Sequence, residues 1–305
     1  MPPQTPESIL QRLDWQVIRR LDGMLQGDYR SLFWGFGLDL ADIREYQFGD
    51  DVRSIDWNVT ARMDTPYVRQ FYEDREITAW FLLDLSPSMD FGSVQQIKRS
   101  TLIDFTAVMT RLLTRHGNRV GAILYNAGVE RMIPPHSGRN QVLLMIHELL
   151  KQPHRKHAPT TDLSSLLISA FNTIRRRSLV FLVSDFFSVA GWERPLGLLN
   201  QQHEVLAIRL YDPREQEIPE IGTVWLEDAE TGEQVLVDTT DRHFRKRFSQ
   251  AALARDVALK DAFKRTRVDT LSLSTTDDLV KILVNFTYLR KQRRIHTKMM
   301  SGVQL

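Results

Sequence analysis

The spacing of apolar and polar residues divides the chain into short buried strands and amphipathic helices. Residues 79–84 and 179–185 form two runs that are apolar until a polar residue ends them, a pattern typical of strands covered on both faces of a sheet. Strands that alternate with helices of ten residues or more indicate an α/β fold with a doubly wound, mostly parallel sheet. Further strands are predicted at 119–125, 128–133, 204–210 and 269–273, and helices at 94–115, 139–151, 163–176, 191–201, 241–265 and 277–292.

Two pairs of these short strands are separated by turn residues and predict hairpins. Asn126-Ala127 joins the strands at 119–125 and 128–133. Thr231-Gly232 lies inside a second pair, for which we predict a small added hairpin over 223–238.

The first 75 residues lack the regular alternation. Residues 6–25 carry apolar side chains at helical spacing, which predicts one amphipathic helix. One helix offers too little apolar surface for a core of its own. We therefore predict an N-terminal extension over 1–75, a main domain over 76–292 that includes the added hairpin, and a basic tail over 293–305.

Composition excludes several classes of site. The chain has 305 residues, 42% apolar and 26% charged, and it contains no cysteine. Disulfides, zinc–cysteine sites, iron–sulfur clusters and cysteine nucleophiles are therefore excluded. No apolar run reaches the roughly 20 residues that span a bilayer, and the first residues lack the basic and apolar regions of a signal peptide. These features predict a cytoplasmic location.

The net charge of +2 is unevenly distributed along the chain. Residues 241–305 contain 15 Lys or Arg and six Asp, so this end is basic and the remainder is acidic. A basic end can contact nucleic acid, an anionic membrane or an acidic partner, and solvated helix faces are the alternative. Nucleic-acid binding is disfavoured, because no aromatic residues for base stacking are interleaved with these charges.

Polar residues follow the two apolar strands where ligands bind in such sheets. The first strand continues into Asp84-Leu85-Ser86-Pro87-Ser88, and the second ends at Ser184-Asp185. The first strand is thus followed by one carboxylate and two hydroxyls, and the second strand by another carboxylate. These groups are hard oxygen ligands suited to Mg²⁺. Helix capping and turn formation by the same residue types are the structural alternative.

A loop before the helix at 163–176 offers a third hydroxyl. Thr161 is the candidate ligand, and Thr160 and Asp162 on either side of it are alternatives.

The candidate ligands resemble a known site. The set resembles the metal-ion-dependent adhesion site of von Willebrand factor A domains in the order and approximate spacing of its residues. Its members are Asp84, Ser86, Ser88, Thr161 and Asp185. The hairpin over 119–133 also resembles that fold, whose sheet carries one short antiparallel edge strand. The resemblance implies a site for Mg²⁺, with Mn²⁺ or Ca²⁺ as alternatives.

The segment from Arg44 to Arg62 resembles the signature of the domain-of-unknown-function-58 family, in which it precedes a von Willebrand A-like domain. It is dense in Asp, Arg and aromatic residues, which suit either partner binding or a structural ion-pair network. The candidates are Arg44, Tyr46, Gly49, Asp50, Arg53, Asp56, Trp57 and Arg62.

The resemblance implies a binding protein without enzymatic activity. In the resembled A domains, the cation accepts a carboxylate from a partner. Proteins similar to this one accompany MoxR-type AAA ATPases, so the resemblance implies an adaptor between such an ATPase and a client protein that presents a carboxylate.

The principal alternative is a metal-dependent hydrolase of phosphate esters. A phosphoryl-transfer enzyme of the haloacid dehalogenase type also carries an Asp after its first strand, but it needs a second acid two residues further on as a general acid. The residue after Asp84 is Leu85, and Ser86 follows it, so no acid is available there. The chain also lacks the P-loop pattern and the G-x-S-x-G pattern of serine hydrolases.

Overall fold

The structure, a computed structural model, shows strands and helices that alternate along most of the chain. The described residues are 5–24, 43–47, 50–52, 55, 57–63, 65–69, 77–93, 96–155, 160–286 and 288. The strands are β1 (Ile43–Glu45), β2 (Tyr67–Arg69), β3 (Thr78–Asp84), β4 (Arg119–Tyr125), β5 (Val129–His136), β6 (Leu179–Ser184), β7 (Glu204–Tyr211), β8 (Thr223–Glu227), β9 (Gln234–Asp238) and β10 (Asp269–Ser274). The helices are α1 (Pro6–Leu13), α2 (Arg19–Met24), α3 (Trp57–Met63), α4 (Lys98–Arg115), α5 (Arg139–Lys151), α6 (Leu163–Thr173), α7 (Glu193–Gln202), α8 (Arg242–Thr266) and α9 (279–286).

A six-stranded sheet, in the order β10-β7-β6-β3-β4-β5, is the centre of the fold. All neighbouring strands are parallel except β4 and β5, which form an antiparallel hairpin at one edge. The outer strand β5 contains Pro134 and Pro135 and is exposed along most of its length. In this order β3 lies between β4 and β6, so the residues after β3 and β6 come together at one end of the sheet.

The sheet is covered on both faces, which explains the continuous apolar runs in its central strands. In β3, Phe81 and Leu83 face one core with α4, α5 and α9, whereas Trp80 and Leu82 face a second core with α6, α7 and α8. Phe81 stacks on Phe181 of β6, with ring centroids 4.7 Å apart. These contacts fix the relative positions of the two strands that lead into the candidate site.

The N-terminal helix packs into the first of these cores. A capping box at Thr5 starts α1, and a π-helical turn over Asp14–Ile18 connects it to α2. Leu10 and Leu13 are buried against the core, and Arg12 forms an ion pair with Asp104 of α4, with 2.5 Å between the closest atoms.

The strands β8 and β9 pair only with each other among the strands described and form the added hairpin. β1 and β2 form another small antiparallel sheet. Both lie outside the six-stranded sheet.

The predicted fold class, with a mostly parallel sheet, an antiparallel edge and an added hairpin, is confirmed. Among the described residues, element boundaries agree within a few residues, although the helix predicted at 94–115 is observed from Lys98 and the one at 163–176 ends at Thr173. The end of the last helix, predicted at residue 292, lies outside the described residues. The domain boundaries at residues 75 and 292 stay a prediction. The basic tail over 293–305 lies outside the described residues.

If the N-terminal helix belongs to the same cooperative unit as the sheet, Leu13→Ala should lower the stability of the whole protein. The lost burial and the cavity left behind correspond to about 2–4 kcal/mol, because Leu13 is 2% exposed in the core. Chemical denaturation followed by the tryptophan fluorescence of the full chain measures this effect. Gln11→Ala, at an exposed position of the same helix, is the control and should change little. A main transition unaffected by Leu13→Ala would show that the extension unfolds separately.

Candidate functional site

Asp84 is fixed at the end of β3 by two hydrogen bonds. Its Oδ1 accepts from the backbone N–H of Ser86 at 3.0 Å, and its Oδ2 accepts from the hydroxyl of Ser184 at 2.6 Å. Ser184 ends β6, so this second bond spans the two strands. Asp84 is fully buried, and its carboxylate is therefore held in one orientation at the carboxyl end of the sheet.

The turn after Asp84 brings two hydroxyls together. The Oγ atoms of Ser86 and Ser88 lie 3.2 Å apart and are both buried. Arg99 of α4 supports this turn: it donates to the carbonyl of Leu85 at 2.9 Å and pairs with Asp90 at 2.5 Å. Arg99 thus fixes the backbone of the turn, and the two hydroxyls lie at the edge of the sheet.

Asp185, which follows β6, takes part in a buried ion-pair triad. The ammonium of Lys98 lies 2.6 Å from Asp185 Oδ2 and 2.5 Å from Glu215 Oε1. Burial lowers the pKa of Lys98, but the two carboxylates outweigh it and raise that pKa above its usual value. Lys98 therefore stays charged and neutralises part of the negative charge next to the site.

Thr161 is the buried member of the loop before α6. Asp162 caps that helix by accepting from the backbone N–H of Ser164 at 2.9 Å, and Thr160 is exposed, whereas Thr161 is 1% exposed. The backbone carbonyl of Thr161 accepts from Ser188, which ties the loop to the segment after β6. Of the three candidates in this loop, Thr161 is the one whose hydroxyl is buried at the same edge.

A carboxylate from the added hairpin reaches this loop. Thr161 donates to Glu230 twice, from Oγ1 to Oε1 at 2.5 Å and from the backbone N–H to Oε2 at 2.9 Å. Glu230 lies between β8 and β9, far from the site in sequence.

The electrostatics of this edge are dominated by carboxylates. Burial and the neighbouring charge of Asp185 raise the pKa of Asp84 to about 6, although hydrogen bonds from Ser184 and Ser86 oppose the shift. Burial and the charges of Asp162, Asp84 and Glu230 also raise the pKa of Tyr125, at the end of β4. Negative charge concentrated in a buried edge favours a bound cation.

The donor set fits a small divalent cation. With metal–oxygen distances of about 2.1 Å, neighbouring ligands of an octahedral Mg²⁺ lie about 3 Å apart, close to the 3.2 Å between Ser86 and Ser88. Within the described residues, no three acidic, His or Cys side chains are grouped as a metal site, so a cation here would depend on the hydroxyls. The buried side-chain amide of Asn126, which follows β4, has no hydrogen-bond partner in the described part of the chain.

The described part of the signature segment includes β1 and α3. Tyr46 donates its backbone N–H to Pro66 at 2.8 Å, and Asp50 accepts from the backbone of Gln47 at 2.8 Å. Trp57 is 68% exposed at the start of α3. Arg44 lies in β1 and Arg62 is exposed in α3, whereas Gly49, Arg53 and Asp56 lie outside the described residues. The role of this segment stays a prediction.

Sequence reasoning did not find three charged residues of the site. Tertiary packing brings Lys98 to Asp185 and Glu215 to Lys98, and the hairpin brings Glu230 to Thr161. Neither motif nor spacing points to them, because each lies more than 60 residues from its partner at the site.

Comparisons with known proteins place the chain among proteins without an assigned activity. The family model described as "Protein of unknown function DUF58" matches residues 42–258. Uncharacterized proteins of Mycobacterium bovis and Mycobacterium tuberculosis are each 36% identical over 283 residues, which is 93% of this chain and 89% of the relative.

Similar solved structures include BatB from Bacteroides thetaiotaomicron, at 12% identity and a TM-score of 0.45 over 71% of this chain and 99% of that one. An aerotolerance-related membrane protein from Bacteroides fragilis is 13% identical, with a TM-score of 0.47 over 70% of this chain and 98% of its own.

The prediction of a cytoplasmic location is wrong: the similar solved structures include membrane proteins of Bacteroides fragilis and Vibrio fischeri. The prediction depended on the absence of an apolar segment and a signal peptide, and such an absence does not assign a compartment. Across the described ranges, no helix combines the length and the apolar character needed to cross a bilayer.

The raised pKa of Asp84 gives a stability difference that depends on pH. Below about pH 4 the carboxyl is protonated in the folded and unfolded states, whereas above pH 6 the folded state carries a buried charge that the unfolded state solvates. In EDTA, Asp84→Asn should therefore gain stability relative to the wild type as the pH rises from 4 to 7, by on the order of 3 kcal/mol. Denaturation midpoints across this range measure the difference.

Asp261→Asn, at a half-exposed position of α8, is the matched control and should show no comparable trend. A difference between Asp84→Asn and the wild type that stays constant from pH 4 to 7 would contradict the assignment of a raised pKa to Asp84.

Proposed function

The chain belongs to the DUF58 family of proteins of unknown function, and we propose that it is a binding module that recognises a partner's carboxylate through a divalent cation. The observation that carries this proposal is the pair of buried hydroxyls of Ser86 and Ser88, 3.2 Å apart, beside the buried carboxylate of Asp84. Hydroxyl ligands leave a cation with much of its positive charge, which suits attraction of a further carboxylate.

The residues of the chain divide into two roles in this proposal. The hydroxyls of Ser86, Ser88 and Thr161 would hold Mg²⁺, for which Mn²⁺ or Ca²⁺ could substitute. Asp84 and Asp185 supply negative charge next to it, and their orientation is fixed by Ser184 and Lys98. When bound, the cation supplies an electrophilic position for an incoming oxygen ligand.

The same residues are poorly arranged for hydrolysis. A nucleophilic Asp84 would need a general acid near it, and the residues that follow it are Leu85 and Ser86. Both carboxylate oxygens of Asp84 already accept hydrogen bonds. A module that binds without turnover is the function that this arrangement supports best.

The partners in this proposal are a MoxR-type AAA ATPase and a client protein that presents a carboxylate. The support for the ATPase is the family resemblance of the segment from Arg44 to Arg62. The support for the carboxylate is the chemistry of the site. The protein would act as the adaptor that brings the client to the ATPase.

The metal-binding part of the proposal predicts a thermal shift. At a Mg²⁺ concentration about 100 times Kd, binding to the folded state should stabilise the wild type by about 2.7 kcal/mol, or about 5 °C in Tm for a chain of this size. Asp84→Ala and the double variant Ser86→Ala/Ser88→Ala should lose this shift. Melts in EDTA and in excess Mg²⁺ compare the proteins.

Ser165→Ala, which removes an exposed hydroxyl at the start of α6, should keep the full Mg²⁺ shift. An equal shift in the wild type and in both site variants would place the cation elsewhere and refute the proposed ligands.

The adaptor role predicts the outcome of a parallel capture experiment. Tagged wild-type protein should retain a MoxR-type ATPase or a client in the presence of Mg²⁺, and Asp84→Ala should not retain the client, because the carboxylate contact is lost. Assay of the same preparations with a phosphate monoester should show no turnover. Mg²⁺-dependent phosphatase activity that disappears in Asp84→Asn would replace the adaptor proposal with the hydrolase alternative.

A further inference from the structure

The tip of the added hairpin covers a predicted metal ligand with a carboxylate of the chain itself. Glu230 receives both the hydroxyl and the backbone N–H of Thr161, at 2.5 and 2.9 Å. Thr161 is 1% exposed as a result of this and its other contacts. The carboxylate thus lies beside a hydroxyl that the site offers to a cation.

This position is the one expected of a carboxylate ligand. A short hydrogen bond joins Thr161 Oγ1 to Glu230 Oε1, with 2.5 Å between the oxygens, and neighbouring ligands of Mg²⁺ are about 3 Å apart. Ser88 and Glu230 also line the same cavity. A carboxylate that binds through a cation held by Ser86, Ser88 and Thr161 would have to lie close to where Glu230 now lies.

We propose that Glu230 is an internal ligand that occupies the place of a partner's carboxylate and must leave when that partner binds. This inference rests on the proposed function, and it adds regulation to the same site. Glu230 is tied to the domain through its own hairpin, so it competes at a high effective concentration with any carboxylate free in solution. A free monocarboxylate should therefore bind the wild type weakly.

The hairpin is attached in a way that permits this exchange. β8 and β9 pair with each other, and, within the described residues, the two hydrogen bonds from Thr161 are those that join the hairpin tip to the site. The base is fixed separately, by Arg245 of α8, which donates to the carbonyl of Thr239 and forms an ion pair with Glu220 at 3.0 Å. Release of Glu230 therefore leaves both the base of the hairpin and the six-stranded sheet in place.

The cavity beside Glu230 indicates the kind of partner that would replace it. Its volume is about 860 Å³. Its lining combines apolar residues with two cations and four carboxylates: Phe91, Phe187, Val189 and Leu226, then Arg214 and Arg255, then Glu215, Glu227, Asp228 and Glu230. The apolar part of this lining suits apolar neighbours of the incoming residue, and the bound cation, rather than the lining, would attract its acidic side chain. The partner that displaces Glu230 is thus an acidic residue within an apolar stretch of another protein.

The test uses the full chain, Mn²⁺ as a paramagnetic probe of the site, and acetate as the competing carboxylate. Water proton relaxation reports Mn²⁺ binding and falls when acetate displaces bound water. Glu230→Gln keeps the size of the side chain and removes its charge. The acetate concentration that gives half of the effect should be at least about tenfold lower in this variant than in the wild type. Glu233→Gln, on the same hairpin and exposed, should behave as the wild type does.

A second measurement in EDTA tests the contact without any metal. Hydrogen exchange of the Thr161 amide should be faster in Glu230→Ala than in the wild type, because its acceptor is removed, and unchanged in Glu233→Gln. Equal exchange of Thr161 in all three proteins would overturn the inference.

The outcomes separate this inference from the proposed function. If Mn²⁺ binds every variant and acetate acts at the same concentration in the wild type and Glu230→Gln, the inference fails and the proposed function remains. If Mn²⁺ binds none of them, the metal-dependent function fails, and the inference fails with it.

Discussion

The burial of two carboxylates at the ends of neighbouring strands is the constraint on which this edge of the structure depends. Asp84 and Asp185 leave water because β3 and β6 are central strands covered on both faces. Each buried charge must then be compensated. Asp185 receives the ammonium of Lys98, and Asp84 receives hydrogen bonds from Ser184 and Ser86 but no cationic side chain at hydrogen-bond distance among the described residues. The charge of Asp185 is therefore compensated by a cation, whereas the charge of Asp84 is not.

Under the proposed function, this asymmetry suits the binding of a charge rather than catalysis. A catalytic carboxylate needs freedom to exchange a proton or attack a substrate, whereas Asp84 is fixed by donors on both oxygens. The turn that carries Ser86 and Ser88 is likewise fixed from beneath by Arg99. Rigid, oriented oxygen atoms favour recognition of a charge at one place.

The position of a site residue could be predicted from the sequence where that residue directly follows a strand of the central sheet. Asp84 and Asp185 could be placed at one edge because parallel strands that end together present their next residues together. Lys98 could not be found in this way. It lies in the first turn of α4, where the helix dipole disfavours a cation, and only the carboxylates that tertiary packing brings to it make this position favourable. Glu230 was equally hidden, because the orientation of a hairpin outside the main sheet is not encoded in its own pattern.

The outer strand of the sheet has a consequence for assembly. β5 leaves one edge of the sheet open, and an open edge can add a strand from another molecule. Pro134 and Pro135 lack the backbone N–H groups that such an addition requires, and Glu130 and Arg131 are exposed charges on the same strand. Addition of a strand from another molecule at β5 is thereby disfavoured, so this edge of the central sheet is a poor template for aggregation.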